Sequence, residues 1–241
     1  MRGRRSIFST TAVLLALITA STARLPAQQR DGSLVIAALP FANSVVGDEH
    51  AALNPLTSGV PELILIELAR SPTVRTVEPA RLRRVLSSQK LDPQGHIDDE
   101  GASHVGRILG APWVIRGTFA TDGRGAIRIA AYVVDVGTAQ VQHTEAAEGK
   151  LANLAALIGQ ISEKLGRDLR LPELPSDGRR VRELTQRASY QTTLSFARAI
   201  EARDAGRVQQ AITLLQQLLS DVPDYEPAQS ELTRMHSERG R

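Results

Sequence analysis

The feature that most constrains this fold is an alternation of strand-like and helix-like segments from residue 33 to residue 169. It opens on a continuous apolar run over residues 34–39, which is typical of a strand covered on both faces, so we expect it near the centre of a sheet. Residues 56–70 follow with apolar side chains at helical spacing, and residues 74–77 form a second strand-like segment. Strands that alternate with helices in this way predict an α/β domain.

The period changes to two from Trp113 onward. Between residue 77 and this change, the sequence predicts two more helices, one that begins at Pro79 and one over residues 99–109. The period of two then predicts a three-strand antiparallel meander with tight turns, over residues 113–120, 126–136 and 139–147. An amphipathic helix over residues 151–169 is expected to cover it. The prediction for residues 33–170 is thus an α/β domain with a mixed sheet of about five strands, covered by helices.

Beyond residue 170 the sequence predicts a linker and then an all-α region. Residues 171–178 contain two prolines and a glycine, so we expect no regular structure there. Residues 179–241 have helical patterns, and a window over about 192–225 has the spacing of a single tetratricopeptide-like repeat. The residues that match its small, turn and helix-stop positions are Ala199, Gly206, Ala211 and Pro223.

Two positions of that window depart from the repeat pattern. Ser195 stands where an aromatic residue is usual, and Leu218 where alanine is usual. A plain helical hairpin with a glycine turn is therefore the alternative interpretation. Because a single repeat lacks stacked neighbours, we expect this region to pack on the first domain or on a partner.

The first 27 residues have the three-part pattern of a secretory signal peptide. Three arginines precede an apolar stretch over residues 12–20, and small and polar residues follow, so we predict cleavage after Ala27, with Ala23 as the alternative. The apolar stretch is shorter than the roughly 20 residues that span a bilayer. We expect an exported, periplasmic protein without a transmembrane span in the mature chain. General or twin-arginine export, and peripheral association with the outer membrane, are left open.

Charge and composition exclude several classes of function. The formal net charge of the whole chain is +3. Removal of the predicted signal peptide takes away four arginines and no acidic residue, so the mature chain has a net charge of −1. It therefore has no excess of positive charge that would favour binding to nucleic acid. The chain has no cysteine. This excludes disulfides, cysteine-ligated zinc, iron–sulfur clusters, thiol nucleophiles and a lipid-modified cysteine.

Motifs for catalysis and cofactors are missing from the sequence, so we predict no catalytic, cofactor-binding or metal-binding residues and no cofactor. The five histidines are too far apart for a local metal pair, and no nucleophile elbow or phosphate-binding loop occurs. A ligand could bind the loop after the first strand, at Asp48, Glu49 and His50, because α/β folds bind ligands at the carboxyl ends of strands. A solvated polar loop is the alternative. Arginines of the second helix could pair with phosphates or acidic partners, or lie on an exposed surface: Arg81, Arg83 and Arg84.

Several short motifs occur in a characteristic order in the first domain. They contribute Pro40, Phe41, Gly59, Gly110, Gly117, Asp135 and Gly137. On these motifs the domain resembles the TolB amino-terminal-like and CsgG-like (FlgO-like) periplasmic α/β domains. One departure lies in the last hairpin, where Thr138 and Ala139 stand in place of the family's usual Thr-Gly order.

The resemblance implies a periplasmic module for protein assembly or recognition, often joined to tetratricopeptide repeats and without known catalytic residues. We therefore expect a non-enzymatic protein-interaction or assembly module of the bacterial cell envelope, whose partners are envelope proteins or further copies of the chain. A subunit of a CsgG-like secretion or surface-assembly apparatus is one alternative. A small-ligand receptor or hydrolase is the other. The missing anchor cysteine and the short turns of the meander favour the α/β domain of that family without its pore.

Overall fold

A mixed sheet of parallel and antiparallel strands forms the centre of the structure. The computed structural model describes residues 33–91 and 96–239, so the predicted signal peptide with Ala27 lies outside the described residues. The strands are β1 (Leu34–Ala38), β2 (Ala42–Asn43), β3 (Val74–Thr76), β4 (Trp113–Thr121), β5 (Ala126–Asp135) and β6 (Gln140–Lys150). Their order is β3-β1-β4-β5-β6, and β2 pairs with β4.

The predicted mixed sheet is confirmed. β1 runs parallel to both β3 and β4, and β4, β5 and β6 form the antiparallel meander. β1 has a neighbour on each side, as its continuous apolar sequence predicted. The sixth strand, β2, was not predicted, because two residues are too few to show a period.

The helices alternate with the parallel strands and then continue alone to the end of the chain. They are α1 (Glu49–Leu53), α2 (Leu56–Leu68), α3 (Pro79–Ser88), α4 (Asp99–Leu109), α5 (Leu154–Asp168), α6 (Ser176–Gln186), α7 (Tyr190–Asp204), α8 (Val208–Asp221) and α9 (Glu226–Arg239). Local sequence fixes several ends. The Asp98 carboxylate accepts a hydrogen bond from the Gly101 amide at 2.8 Å at the start of α4, and Gly110 ends that helix in the left-handed region, with φ 67°.

Two predicted boundaries need correction. Glu49 and His50, expected in a loop, belong to α1, where three consecutive helix-forming residues follow them. The last three residues of the predicted linker, Ser176 to Gly178, are the first turn of α6. Pro175 precedes the helix without disrupting it. Proline lacks a backbone N–H, but the N–H groups at the start of a helix have no hydrogen-bond partner within the helix, so none is lost. The division into two domains and a linker stays a prediction.

Helices cover the sheet on both faces. Along β1, Ile36 and Ala38 belong to one apolar cluster with α2 and α5, whereas Ala37 belongs to a second cluster with α3 and α4. The first cluster continues through α2 into α7, α8 and α9. The carboxyl-terminal helices therefore share a core with the α/β part of the chain.

The contact between α2 and α7 is unusually close because Gly59 has no side chain. A Cβ atom placed at Gly59 would lie 2.3 Å from the Cβ of Ala197 and 2.7 Å from its Cα. Real Cβ atoms do not approach other carbon atoms so closely, so any larger residue at position 59 must push the two helices apart.

A buried ion cluster joins the same two helices to α9. The Arg203 guanidinium lies 2.9 Å from carboxylate oxygens of both Glu62 and Glu231, and 2.8 Å from Asp204. Arg234 contacts Glu62 at 3.0 Å and also contacts Glu231. Arg203 is only 6% exposed, so its charge depends on these partners for compensation.

Burial and charge move the pKa values of the two glutamates in opposite directions. Burial would raise the pKa of Glu62, but the guanidiniums of Arg203 and Arg234 outweigh it and hold this pKa below its usual range. For Glu231, burial together with the negative charge of Glu62 outweighs the same guanidiniums and raises its pKa. For Arg203, the three carboxylates outweigh burial and raise its pKa.

Replacement of Gly59 by alanine is expected to lower the free energy of unfolding by about 1–2 kcal/mol, because the overlap with Ala197 exceeds the gain in helix propensity. Gly166→Ala is the matched control, since a Cβ there meets side chains only at 4.0 Å. That change should raise stability by roughly 0.5–1 kcal/mol. Urea unfolding of both variants checks the pair, and stabilisation by both would contradict the close contact.

Glu62→Gln should lower the free energy of unfolding at neutral pH by about 3 kcal/mol, because it leaves buried charge uncompensated. The pKa of Glu62 is lower in the folded than in the unfolded chain, where it is about 4.3. Its ionised form therefore stabilises the protein above that value, and this stability is lost as the pH falls through the folded pKa.

The difference between wild type and Glu62→Gln should accordingly shrink as urea unfolding is repeated at lower pH, from neutral to below 4. The exposed Glu183 provides the control, and Glu183→Gln should stay within about 0.5 kcal/mol of wild type. A difference for Glu62→Gln that is independent of pH would contradict the assignment.

Candidate functional site

The candidate site is a cleft at the carboxyl ends of the parallel strands β1 and β3. The chain leaves β1 towards α2 on one face of the sheet, and it leaves β3 towards α3 on the other face. Where successive connections diverge in this way, an α/β sheet opens a crevice that commonly binds ligands. The cleft has a volume of about 760 Å³, within the range of ligand-binding pockets.

Four segments that are distant in sequence line the cleft. They are residues 38–40, 54–65, 77–87 and 201–206. The ends of β1 and β3 form the base of the cleft, and α2 and α3 form its walls. The end of α7 and the turn that follows it close one side. Its apolar surface comes from Ala38, Pro40, Pro61, Leu65, Val77, Pro79, Leu82 and Leu86. Its charged groups are Glu62, Arg83, Arg84, Glu201, Arg203 and Asp204.

The carboxylates of the cleft already have partners. Glu62 and Asp204 contact Arg203 in the buried ion cluster. Glu201 accepts a hydrogen bond from the Asn54 side-chain amide at 3.1 Å. The Glu62–Arg203 pair attaches the end of α7 to α2, and the Asn54–Glu201 hydrogen bond attaches it to the residues just before α2, so this side of the cleft is held in place.

Two of the arginines of α3, Arg83 and Arg84, line the cleft but have no carboxylate partner within the described ranges of the chain. Arg83 donates a hydrogen bond to the backbone carbonyl of Arg203 at the carboxyl end of α7. Arg84 is exposed. Among the residues that the structure describes, neither guanidinium contacts a carboxylate, so their positive charges face the cleft without an anionic partner.

Thr57 contributes a buried hydroxyl to the wall. Its side chain is 5% exposed, and its Oγ1 has no hydrogen-bond partner within the described part of the chain. An unsatisfied buried hydroxyl costs roughly 1–3 kcal/mol. Tyr225, which lies outside the cleft, has a similarly unpaired hydroxyl, and burial raises its pKa.

The structure does not bring Asp48, Glu49 and His50 into this cleft. The Glu49 carboxylate accepts a hydrogen bond from Thr121 Oγ1 at 2.9 Å, and the backbone carbonyl of His50 accepts one from the Asn43 side chain. Across residues 33–91 and 96–239, no group of three or more acidic or histidine side chains could hold a metal ion. A ligand site at Asp48, Glu49 and His50 stays a prediction, as does the alternative of a solvated polar loop.

The three arginines of α3 separate into two roles. Arg81 donates to the backbone carbonyl of Ile108, whereas Arg83 and Arg84 line the cleft. Sequence spacing had already grouped these arginines. It could not indicate Thr57 or Leu65, because nothing in the local pattern of α2 distinguishes a residue that faces a cleft from one that faces the core.

The residues of the family motifs occupy turns and close contacts. Gly117 lies against the ring of Phe41, where an added Cβ would come within 2.3 Å of a ring carbon. The Asp135 carboxylate accepts hydrogen bonds from the amides of Gly137 and Thr138 at 2.7 and 2.9 Å and so stabilises the turn between β5 and β6. Pro40 alone among the predicted motif residues of the α/β part lines the cleft.

The residues of the predicted repeat lie in the hairpin of α7 and α8 and just beyond it. Ala199 and Ala211 are buried, and Gly206 forms the turn with φ 77°. Pro223 lies between α8 and α9. Gly206 also lines the cleft, so the turn of this hairpin contributes directly to the candidate site.

No helix of the described residues is long and apolar enough to cross a membrane. No family model and no curated protein matches the chain, but solved structures do. The LpoB C-terminal domain from Salmonella enterica is 15% identical over 49% of this chain and 83% of that chain, with a TM-score of 0.34. TolB from Acinetobacter baumannii is 16% identical over 57% of this chain and 28% of that chain, with a TM-score of 0.38.

Lipoprotein GNA1162 from Neisseria meningitidis is 12% identical over 56% of this chain and 96% of that chain, with a TM-score of 0.38. Each is a similarity over about half of this chain at low identity. The TolB-like, CsgG-like and tetratricopeptide-like resemblances stay predictions.

Proposed function

We propose that this protein is an exported, non-enzymatic module of the bacterial cell envelope that binds a segment of a partner protein in the cleft between α2, α3 and the end of α7. The observation that carries the proposal is the cleft itself, which combines an apolar base with a fixed charged wall. Protein-recognition sites share this combination of an apolar centre and a polar rim. Export follows from the predicted signal peptide.

The chemistry of the cleft favours binding over catalysis. Glu62, Glu201 and Asp204 each accept hydrogen bonds from neighbouring side chains, which holds the wall in place. A general base needs its oxygen directed at the proton that it removes. Groups held in this way serve instead to position the surface against which a partner packs.

The carboxyl-terminal helices have a defined part in this proposal. They do not act as a separate arm, because Arg203, which lines the cleft, belongs to α7 and pairs with Glu62 of α2. The predicted repeat-like hairpin would thus complete a binding site that the α/β part leaves open on one side.

A photoreactive amino acid at Ser87, an exposed residue of the cleft, is expected to cross-link a discrete partner when the full-length protein is expressed in its own cells. The same group at Thr138, which is exposed in the turn between β5 and β6, is the control and should not cross-link that partner. Cross-linked species are identified by mass spectrometry. Equal yields at both positions, or none at Ser87, would contradict the proposal.

Thr57→Val should raise the free energy of unfolding by about 1 kcal/mol, because it removes a buried hydroxyl that has no partner. Thr193→Val is the matched control: Thr193 is fully buried, and its hydroxyl donates to the Ser189 carbonyl at 3.0 Å. This control should lower stability by about 1 kcal/mol, and the same sign for both variants in urea unfolding would contradict the assignment.

A further inference from the structure

We infer that the segment bound in this cleft is an acidic, apolar peptide, with at least two aspartate or glutamate side chains beside leucine-like ones. This inference deepens the proposed function and rests on it. The charges of the cleft and its apolar base carry it together.

The first argument is that two arginines of α3 have no carboxylate partner in the part of the chain that the structure describes, whereas the carboxylates of the cleft already have partners. Arg203 has carboxylate partners within 3 Å, but Arg83 and Arg84 have none among the described residues. Arg83 uses part of its guanidinium on the carbonyl of Arg203, which fixes its position at the cleft. A guanidinium carries five N–H donors, so most of them stay available to a carboxylate.

The helix termini around the cleft add to this charge. α2 and α3 both begin there, with Thr57 and Ser58 from the first turn of one helix and Pro79 from the first turn of the other. The amino-terminal ends of helices carry partial positive charge. The carboxyl end of α7, which carries the opposite partial charge, is covered by the guanidinium of Arg83.

The spacing of the two arginines indicates an internal acidic segment and not a single terminal carboxylate. Residues that are adjacent in an α-helix point about 100° apart, so Arg83 and Arg84 cannot grip one carboxylate from the same face. They provide two separate positions for negative charge. A stretch of chain with more than one acidic side chain satisfies both.

The apolar base sets the rest of the peptide's chemistry. Three apolar side chains line the cleft beside the arginines, namely Leu65, Leu82 and Leu86. Burial of apolar side chains of a peptide against them is favourable, because it removes apolar surface from water.

The test is selection of peptides from a random decapeptide library displayed on phage, with the full mature protein as target. Enriched peptides are synthesised with a free and with an amidated carboxyl terminus, and their affinities are measured by fluorescence anisotropy. Two target variants are compared. Arg84→Glu reverses an exposed charge of the cleft, and Arg180→Glu reverses an exposed charge on α6 outside it.

The expected result is enrichment of aspartate and glutamate beside leucine, isoleucine or phenylalanine, with equal affinity for free and amidated termini. Arg84→Glu should weaken the binding of these peptides by about tenfold, and Arg180→Glu should leave it unchanged. A peptide with one acidic residue replaced by lysine should bind Arg84→Glu more tightly than it binds wild type.

Three results would overturn the inference: no enrichment, enriched peptides without acidic residues, or unchanged affinity in Arg84→Glu. Loss of binding on amidation would assign the site to a terminal carboxylate and would also overturn it. These failures are distinguishable from failure of the proposed function. If Ser87 still cross-links a partner while acidic peptides do not bind, the cleft is an interaction site of different chemistry.

Discussion

The close contact between α2 and α7 is the interaction on which the rest of the structure depends. Gly59 lets the two helices meet at backbone distance from Ala197. Arg203 of α7 then reaches Glu62, three residues further along α2, and both charges are buried. The apolar contact and the ion pair are thus satisfied at the same helix separation and the same register, and together they hold the hairpin of α7 and α8 against α2.

The cleft is a consequence of that docking. The divergence of α2 and α3 from the ends of β1 and β3 opens a crevice in the α/β part, and the end of α7 converts it into a site with three walls. One feature of the site opposes stability, namely the hydroxyl of Thr57, which is buried without a hydrogen-bond partner among the described residues.

Much of the fold could be predicted from periodicity. The apolar run at β1, the meander from Trp113 and the bounds of α4 follow from local sequence, since burial on both faces, burial on alternate faces and helix capping each leave a readable pattern. The short elements β2 and α1 were not predicted, because a segment of two to five residues is too short to show a periodic pattern of apolar residues. The start of α6 was missed because two prolines and a glycine within residues 171–178 resemble a linker, although the helix begins directly after the second proline.

The site could be predicted only in part, for a different reason. Its residues come from segments that are far apart in sequence, and Glu62 and Arg203 have the local pattern of ordinary exposed helix charges although both are buried. Their burial depends on a contact between residues 141 positions apart. Ala139 shows a related limit. Its φ of 56° lies in the left-handed region, where glycine is favoured, in keeping with the glycine that the resembled family has there. The structure does not explain why this chain has alanine at that position.

The central claim is that the carboxyl-terminal helices and the sheet form one cooperative unit, which makes the cleft a fixed feature of the fold. Urea unfolding followed in parallel by two signals tests it most directly. Fluorescence of Trp113, the single tryptophan, reports on the sheet at β4, and far-ultraviolet circular dichroism reports on all helices. Coincident transitions with the same midpoint are predicted. A helical signal that decreases in an earlier, separate step, while Trp113 fluorescence is unchanged, would contradict the account.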